Sequence, residues 1–155
     1  MKKIIAIIII FSIGANTIVN AQNDKQSAIQ SLVNSKNFKF VPRTMYPTGG
    51  RARQLTSEYS VIVTTDSVIA DLPYFGRVYS AIINNDGGIR FTSTKFDYQP
   101  AKNKKDGWTV IIKPKDVSDP RQITLFVSST GNTQINVVSN NRQAISYGGE
   151  ISSRN

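Results

Sequence analysis

The sequence contains no cysteine and no histidine. Without cysteine it can form no disulfide and carry no cysteine-linked lipid, so an exported domain of this sequence has to fold on its hydrophobic core alone. Without either residue, the usual zinc sites cannot be built. A Ser-His-Asp triad and a Cys-His pair are excluded as well. We therefore expect no metal, no cofactor and no catalysis by imidazole or thiolate.

Acidic residues are scarce, with ten Asp and Glu against 19 Lys and Arg. Half of the eight aspartates, Asp86, Asp106, Asp116 and Asp119, fall in predicted turns, where Asp is a common turn former. Glu58 and Asp71 are the only two acidic residues in or beside predicted strands that we expect could point into a cavity, and nothing in the sequence pairs them. A carboxylate-dependent glycan hydrolase that uses these two groups stays an alternative, because two carboxylates suffice for that chemistry. We expect a protein that is not an enzyme.

Long apolar runs are absent after the N-terminus. Lys2 and Lys3 precede an apolar stretch from Ile4 to Ile13, and Val19-Asn20-Ala21 ends the segment with short side chains. This pattern is typical of a secretory signal, and its apolar run is far shorter than the roughly 20 residues that span a bilayer. We predict cleavage after Ala21, so that residues 1–21 are a signal peptide. Residues 22–155 then form one domain that is periplasmic or secreted.

The formal net charge is +9, and it becomes +7 without Lys2 and Lys3. A basic surface attracts anions over long distances. Outside the cytoplasm nucleic acid is not the expected partner. The expected partner is an anionic component of the envelope, such as a polymer or lipid headgroups, or another envelope protein. A basic surface without a dedicated partner is the simpler alternative.

The apolar periodicity predicts one helix followed by strands. Ala28, Ile29, Leu32 and Val33 recur at helical spacing within Asn23 to Asn34. From Phe38 onward the period is two. Pro42 suggests an irregular edge segment, and Asn84 to Gly88 suggests a hairpin turn between two paired strands. The predicted strands are Leu55 to Thr65, Val68 to Leu72, Gly76 to Ile83, Ile89 to Tyr98, Trp108 to Lys113, Ile123 to Ser128, Gln134 to Val138 and Gln143 to Ile151.

These elements predict a mainly β fold. About eight short strands with short connections favour an antiparallel meander, with the N-terminal helix covering an open end or face. The sheet could close as a barrel or form a two-layer sandwich, and the sequence leaves that choice open.

Two basic segments are weaker candidates for binding. Arg43, Arg51 and Arg53 flank the Gly49-Gly50 loop, whose backbone amides together with the arginines could hold an anion. The segment from Lys95 to Trp108 interleaves aromatic residues with lysines, as surfaces that stack on sugars or bases do. The simpler interpretation is a basic loop in the first case and core aromatics beside a lysine-rich turn in the second.

Two motifs stand out beyond composition. One is Leu72-Pro73-Tyr74-Phe75-Gly76-Arg77-Val78-Tyr79, and the other runs from Ser139 to Gly149 as SNNRQAISYGG. With the leader, the early helix and Gly88-Ile89-Arg90-Phe91, they resemble the DUF4251 family over nearly the whole predicted mature chain. The resemblance implies an exported protein of Bacteroidota whose function is not defined, and it brings no catalytic residues.

The first motif supports two interpretations. Pro73 and Gly76 bracket Tyr74 and Phe75 on a shaped turn. In a structural interpretation Phe75 and Tyr79 fill the core, and Tyr74 forms a hydrogen bond with a turn. In a functional one Tyr74, Arg77 and Tyr79 line a rim that faces a ligand.

Arg142, in the second motif, is either part of that rim or a buried partner of Asp71 or Glu58. We predict a ligand-binding site at Tyr74, Arg77, Tyr79 and Arg142 in a non-catalytic binding or structural accessory protein. An inhibitor or interaction module that engages a protein through an exposed loop or sheet edge is a further alternative.

Overall fold

The computed structural model describes residues 23–79, 87–104 and 107–154. One helix, α1, spans residues 23–35, and no helix in these three ranges is long and apolar enough to cross a membrane. The strands are β1 (Phe38–Pro47), β2 (Arg53–Gln54), β3 (Ser60–Val63), β4 (Val68–Leu72), β5 (Ile89–Ser93), β6 (Phe96–Lys102), β7 (Trp108–Pro114), β8 (Gln122–Val127), β9 (Asn132–Val138) and β10 (Ile145–Ser152). The predicted mainly β fold with one N-terminal helix is confirmed.

The strands form one antiparallel sheet that curls into a nearly closed barrel. Its order is β5-β4-β3-β1-β10-β9-β8-β7-β6, and β2 adds to β1. From β6 to β10 each strand pairs with the next along the chain, which is the predicted meander. The last strand, β10, then pairs with the first, β1.

Buried and more exposed side chains alternate along the long strands, and the buried ones fill the barrel interior. In β1 the side chains of Phe38, Phe40 and Met45 are fully buried, and in β8 those of Ile123 and Leu125 are. Burying a side chain of this kind stabilises the fold by roughly 1.5–3 kcal/mol. The core continues through the other long strands except β6, whose Phe96 and Tyr98 are partly buried against it, and it replaces the disulfides that the sequence cannot form.

Helix α1 packs at one end of the barrel. Its apolar face buries Ile29 and Val33, two of the four positions predicted for that face, while Ala28 is exposed. The Tyr98 hydroxyl donates a hydrogen bond to the Val33 carbonyl at 2.7 Å. A Cβ at Gly131 would lie 2.9 Å from the Ile29 Cδ1 atom, so a glycine in the β8–β9 turn lets the helix approach closely.

The prediction that Pro42 lies in an edge segment is wrong. Strand β1 is internal, with β10 on one side and both β3 and β2 on the other. Pro42 falls between the residues that pair with β3 and those that pair with β2, at a shift in the β10 register. A bulge at this point accommodates a residue without an N–H.

The predicted strands Gly76 to Ile83 and Ile89 to Tyr98 are also wrong where the structure describes them. Strand β5 pairs with β4, residues 76–79 form only an isolated bridge, and the chain bends after Ser93 into β6. Asp116 holds that bend by accepting bonds from the Ser93 hydroxyl and from the backbone N–H groups of residues 94 and 95. The predicted signal peptide, residues 80–83 of the predicted strand and residues 84–86 of the predicted turn lie outside the described residues.

Candidate functional site

Tyr74 lies on the loop of residues 73–79, which follows β4 at the end of the barrel opposite α1. The side chain is 8% exposed. Its hydroxyl lies 2.8 Å from the Arg77 carbonyl oxygen and 3.0 Å from the Gln143 carbonyl oxygen, so its single proton serves two nearby acceptors. Burial raises the pKa of the phenol, and the Arg142 guanidinium partly opposes that rise. Tyr74 therefore stays a neutral donor that fixes the loop.

Arg142 is the most deeply buried charged side chain of the described chain. Its Nη1 atom donates to the Gly88 carbonyl at 2.8 Å, and its guanidinium carbon lies 4.9 Å from the centroid of the Tyr74 ring. Its Nε atom lies 3.2 Å from an Asp119 carboxylate oxygen without the alignment of a hydrogen bond. The two paired side chains are 2% and 8% exposed.

Asp119 thus replaces the partners that the sequence suggested for Arg142, and the expectation of Asp71 or Glu58 is wrong. Asp71 instead accepts a bond from Arg90 at 2.8 Å. The Asp119 carboxylate also accepts the Asn140 N–H at 3.1 Å, so it ties the loop before β8 to the turn that precedes β10. A turn aspartate far from Arg142 in sequence gave no signal of this pairing.

Backbone bonds fasten the rest of the loop to residues 141–143. The Gln143 N–H donates to the Arg77 carbonyl at 2.9 Å, and the Tyr79 N–H donates to the Asn141 carbonyl at 2.8 Å. A side chain at Gly76 would collide with the Tyr74 hydroxyl. The loop is therefore held from below by buried groups, and its other side chains point outward.

Three apolar side chains of the loop are exposed as a result. Phe75 is 55% exposed, Val78 53% and Tyr79 66%. The structural interpretation that placed Phe75 and Tyr79 in the core is wrong. Arg77 is exposed beside them. Of the four predicted site residues, Arg77 and Tyr79 face solvent, whereas Tyr74 and Arg142 lie beneath and support the loop.

A second basic segment meets this loop. The Arg53 guanidinium carbon lies 4.8 Å from the Phe75 ring centroid, within the range of a cation–π contact. A cleft of about 390 Å³ lies between the segments and includes Gly49, Gly50, Phe75 and Arg77 in its lining. We call Arg53, Phe75, Arg77, Val78 and Tyr79 the arginine–aromatic surface. The sequence drew attention to both segments separately, but no pattern indicated that they meet.

The charge of this surface is one-sided. Residues 47–54, 73–79 and 140–144 contain four arginines and no aspartate or glutamate. Asp119 compensates Arg142, which leaves Arg51, Arg53 and Arg77 as exposed positive charges. Arg43, predicted to belong to the same anion site, instead pairs with Glu150 at 3.0 Å.

The other sequence candidates are less suited to binding or catalysis. Trp108 is 3% exposed and Phe96 packs on the core, so the aromatics of the Lys95 to Trp108 segment are structural. Glu58 is exposed before β3, and neither it nor Asp71 lines the clefts beside Phe75. Within residues 23–79, 87–104 and 107–154, no cluster of three or more acidic side chains is suited to hold a metal ion.

Comparison with known proteins shows which family and which fold this chain matches. The sequence model of a domain of unknown function, DUF4251, matches residues 20–151. The crystal structure of a DUF4251 family protein from Bacteroides eggerthii superimposes with a TM-score of 0.63 at 14% identity, over 83% of this chain and 87% of that one. At that identity the likeness shows a shared fold. No curated protein matches the chain.

Proposed function

This chain belongs to the DUF4251 family, and we propose that it is an exported, non-catalytic protein that binds anionic lipid headgroups through the arginine–aromatic surface. The observation that carries this proposal is the composition of the surface. Arg53 and Arg77 stand beside the exposed side chains of Phe75, Val78 and Tyr79, and no carboxylate occurs in the three segments that surround them.

Lipid headgroups match both properties of this surface. Guanidinium groups form paired hydrogen bonds with phosphate oxygens. Apolar and aromatic side chains that project among cations enter the boundary between headgroups and acyl chains. Each basic residue near an anionic membrane contributes about 1 kcal/mol, so the three exposed arginines together give binding that is moderate and sensitive to salt.

The buried clamp under the loop supports the same proposal. The Tyr74 hydroxyl holds the Arg77 carbonyl and the Arg142 guanidinium packs on the Tyr74 ring, so Phe75 and Arg77 are ordered before a ligand arrives. Ordering a surface in advance removes a cost that binding would otherwise carry. In this proposal the clamp residues position the surface, and Arg77 and Tyr79 contact the ligand.

Export and the absence of catalysis are part of the proposal. The leader of residues 1–21 supports export, with residues 22–155 as the mature domain, and the net charge of that domain favours anionic membranes. The missing imidazole and thiol groups and the engagement of Asp71 by Arg90 weigh against a hydrolase. We therefore assign the protein a binding role in the envelope.

Vesicle co-sedimentation tests the proposal. The protein is mixed with phosphatidylcholine vesicles that contain or lack phosphatidylglycerol. We expect sedimentation only with phosphatidylglycerol, declining as salt rises. The double variant Arg53→Glu/Arg77→Glu loses at least 2 kcal/mol of attraction, or roughly 30-fold in affinity.

The matched control is Lys102→Glu/Lys104→Glu, which makes the same change of charge at exposed positions in and after β6. It should bind nearly as the parent does. Equal loss in both double variants would mean that overall charge alone drives sedimentation. Binding that is independent of phosphatidylglycerol, or no binding at all, would contradict the proposal and favour a protein partner for the exposed apolar side chains.

A further inference from the structure

A second concave surface lies on the outer face of the sheet. It is an open groove of about 710 Å³ formed by β1, β10, β9 and β8, and its lining includes Arg43, Tyr46, Phe126, Gln134 and Glu150. None of these side chains belongs to the arginine–aromatic surface. The groove is therefore a separate candidate for a binding site.

The strand register places four residues of the groove in one row across the sheet. Thr44 pairs with Gly148, Gly148 with Gln134, and Gln134 with Phe126. The Tyr46 ring leans over Gly148, since a Cβ at that glycine would lie 3.2 Å from a ring carbon. Two strand spacings, about 10 Å, separate the backbone of Gly148, which the Tyr46 ring covers, from that of Phe126, and Gln134 lies between them.

Both aromatic side chains are available to a ligand. Tyr46 is 45% exposed and Phe126 is 49% exposed. Tyr46 also has a structural role, because its ring covers the bare backbone of Gly148. Phe126 has no such role, and the neighbouring outward residues of β8, Gln122 and Thr124, are polar. A large exposed aromatic ring in the middle of a polar strand face points to recognition.

The polar groups around the rings suit a neutral ligand. The exposed Gln134 amide makes no hydrogen bond with any other group in the described chain. Arg43 and Glu150 form an ion pair at 3.0 Å with side chains 68% and 54% exposed, so their charges cancel while donors and acceptors remain accessible. These groups can exchange hydrogen bonds with hydroxyl and amide groups.

The sheet itself argues against an extended peptide as the ligand. Strands β1, β10, β9 and β8 are all internal, so their backbone groups are already paired and a peptide cannot add as a further strand. A ligand here has to be held by side chains alone. Flat aromatic faces with an amide between them match sugar rings, whose faces are apolar and whose edges carry hydroxyl groups.

We propose that this groove binds a neutral glycan, laid across β10, β9 and β8 with one sugar on Tyr46 and another on Phe126. The lining of this groove shares no residue with the arginine–aromatic surface.

Titration of the full isotope-labelled protein with neutral hexasaccharides of glucose, mannose and N-acetylglucosamine tests the proposal by NMR. At least one of them should shift the Gln134 side-chain amide and the signals around Phe126, and saturation of the aromatic protons should transfer to the sugar. Phe126→Ala should weaken that binding by roughly three- to tenfold. Ile69→Ala, which removes an exposed apolar side chain on β4, should leave it unchanged.

A second variant keeps the test independent of Phe126. Gly148→Ala places a methyl group 3.2 Å from a Tyr46 ring carbon, so the ring has to shift by a few tenths of an ångström. This variant should also weaken binding, while the spectrum of the remaining protein shows that the fold persists. Absence of binding to every hexasaccharide, shifts that map outside the groove, or full affinity in Phe126→Ala would each overturn the proposal. Binding of an extended peptide at these residues in place of a glycan would overturn it as well.

Discussion

Replacing Arg142 by Met should strongly destabilise the protein while leaving the sheet itself intact. Methionine has a similar length and no branch at Cβ, so the change removes the charge and the donors with little change in packing. The Asp119 carboxylate then loses its cation, and the Gly88 carbonyl loses its 2.8 Å donor. The Tyr74 ring also loses the guanidinium that stacks on it.

The magnitude follows from the burial of the pair. Its two side chains are 2% and 8% exposed, so water does not replace the lost partner. Removing one member of such a pair costs about 3–5 kcal/mol, a large share of the 5–15 kcal/mol that stabilises a typical domain. Asp119→Asn removes the other charge but keeps an acceptor for the Asn140 N–H. The double variant should therefore cost less than the sum of the two single variants by about 1–3 kcal/mol.

Equilibrium unfolding in urea measures these differences. The single tryptophan of the chain, Trp108, is buried, so its fluorescence reports on exposure of the core. The denaturant slope should stay constant across the parent and the three variants. A cost below 1 kcal/mol for Arg142→Met, or strict additivity in the double variant, would refute the reasoning that a buried ion pair fastens the loop.

Two further predictions concern other buried or bonded groups. Tyr147→Phe should lower the free energy of unfolding by about 1–3 kcal/mol, because the buried Pro73 carbonyl loses the hydroxyl that donates to it at 2.6 Å, and the same urea assay measures this cost. Asp116 accepts bonds from Ser93 and Thr94 that lower the pKa of its carboxyl below the ordinary value. The contribution of Asp116 to the free energy of unfolding is therefore fully present above the unfolded-state pKa of about 3.9, and it is lost as the pH falls further. Unfolding at pH 6 and in acid should show a steeper acid loss for the parent than for Asp116→Asn, and equal slopes would contradict this.

The meander could be predicted because its signals are local. In β7 to β10, strict alternation and turns such as the one at Gly131 fix both the strands and their neighbours. The helix could also be predicted, because Ile29 and Val33 recur at helical spacing. The choice between barrel and sandwich depends on pairing between β1 and β10, which are about 100 residues apart in the chain, and no local pattern encodes that pairing.

The errors arose where the chain makes contacts that are not local. Pro42 favours an edge when considered alone, yet a bulge lets it occupy an internal strand. The predicted strand from Ile89 to Tyr98 is divided into β5 and β6, because Asp116 from a later loop holds the bend after Ser93. Long-range bonds of this kind outweighed the local signals.

Part of the candidate surface belongs to a motif that the sequence singled out. Phe75, Arg77, Val78 and Tyr79 lie in the segment from Leu72 to Tyr79, and their role in binding stays a prediction. Periodicity could not assign Phe75 to the core or to the surface, because the loop has no regular period. The ion pair between Arg142 and Asp119 could not be predicted either. Oppositely charged residues are common in the chain, and no spacing in the sequence indicates which of them meet in the fold.

The pairing of β1 with β10 makes the first long strand depend on the last one. Until residues 145–152 are available, one side of β1 and one side of β9 expose unpaired backbone groups and apolar side chains. The sheet therefore cannot close before β10 has been made, and such distant pairing slows folding. Removal of β10 would divide the sheet into two open halves.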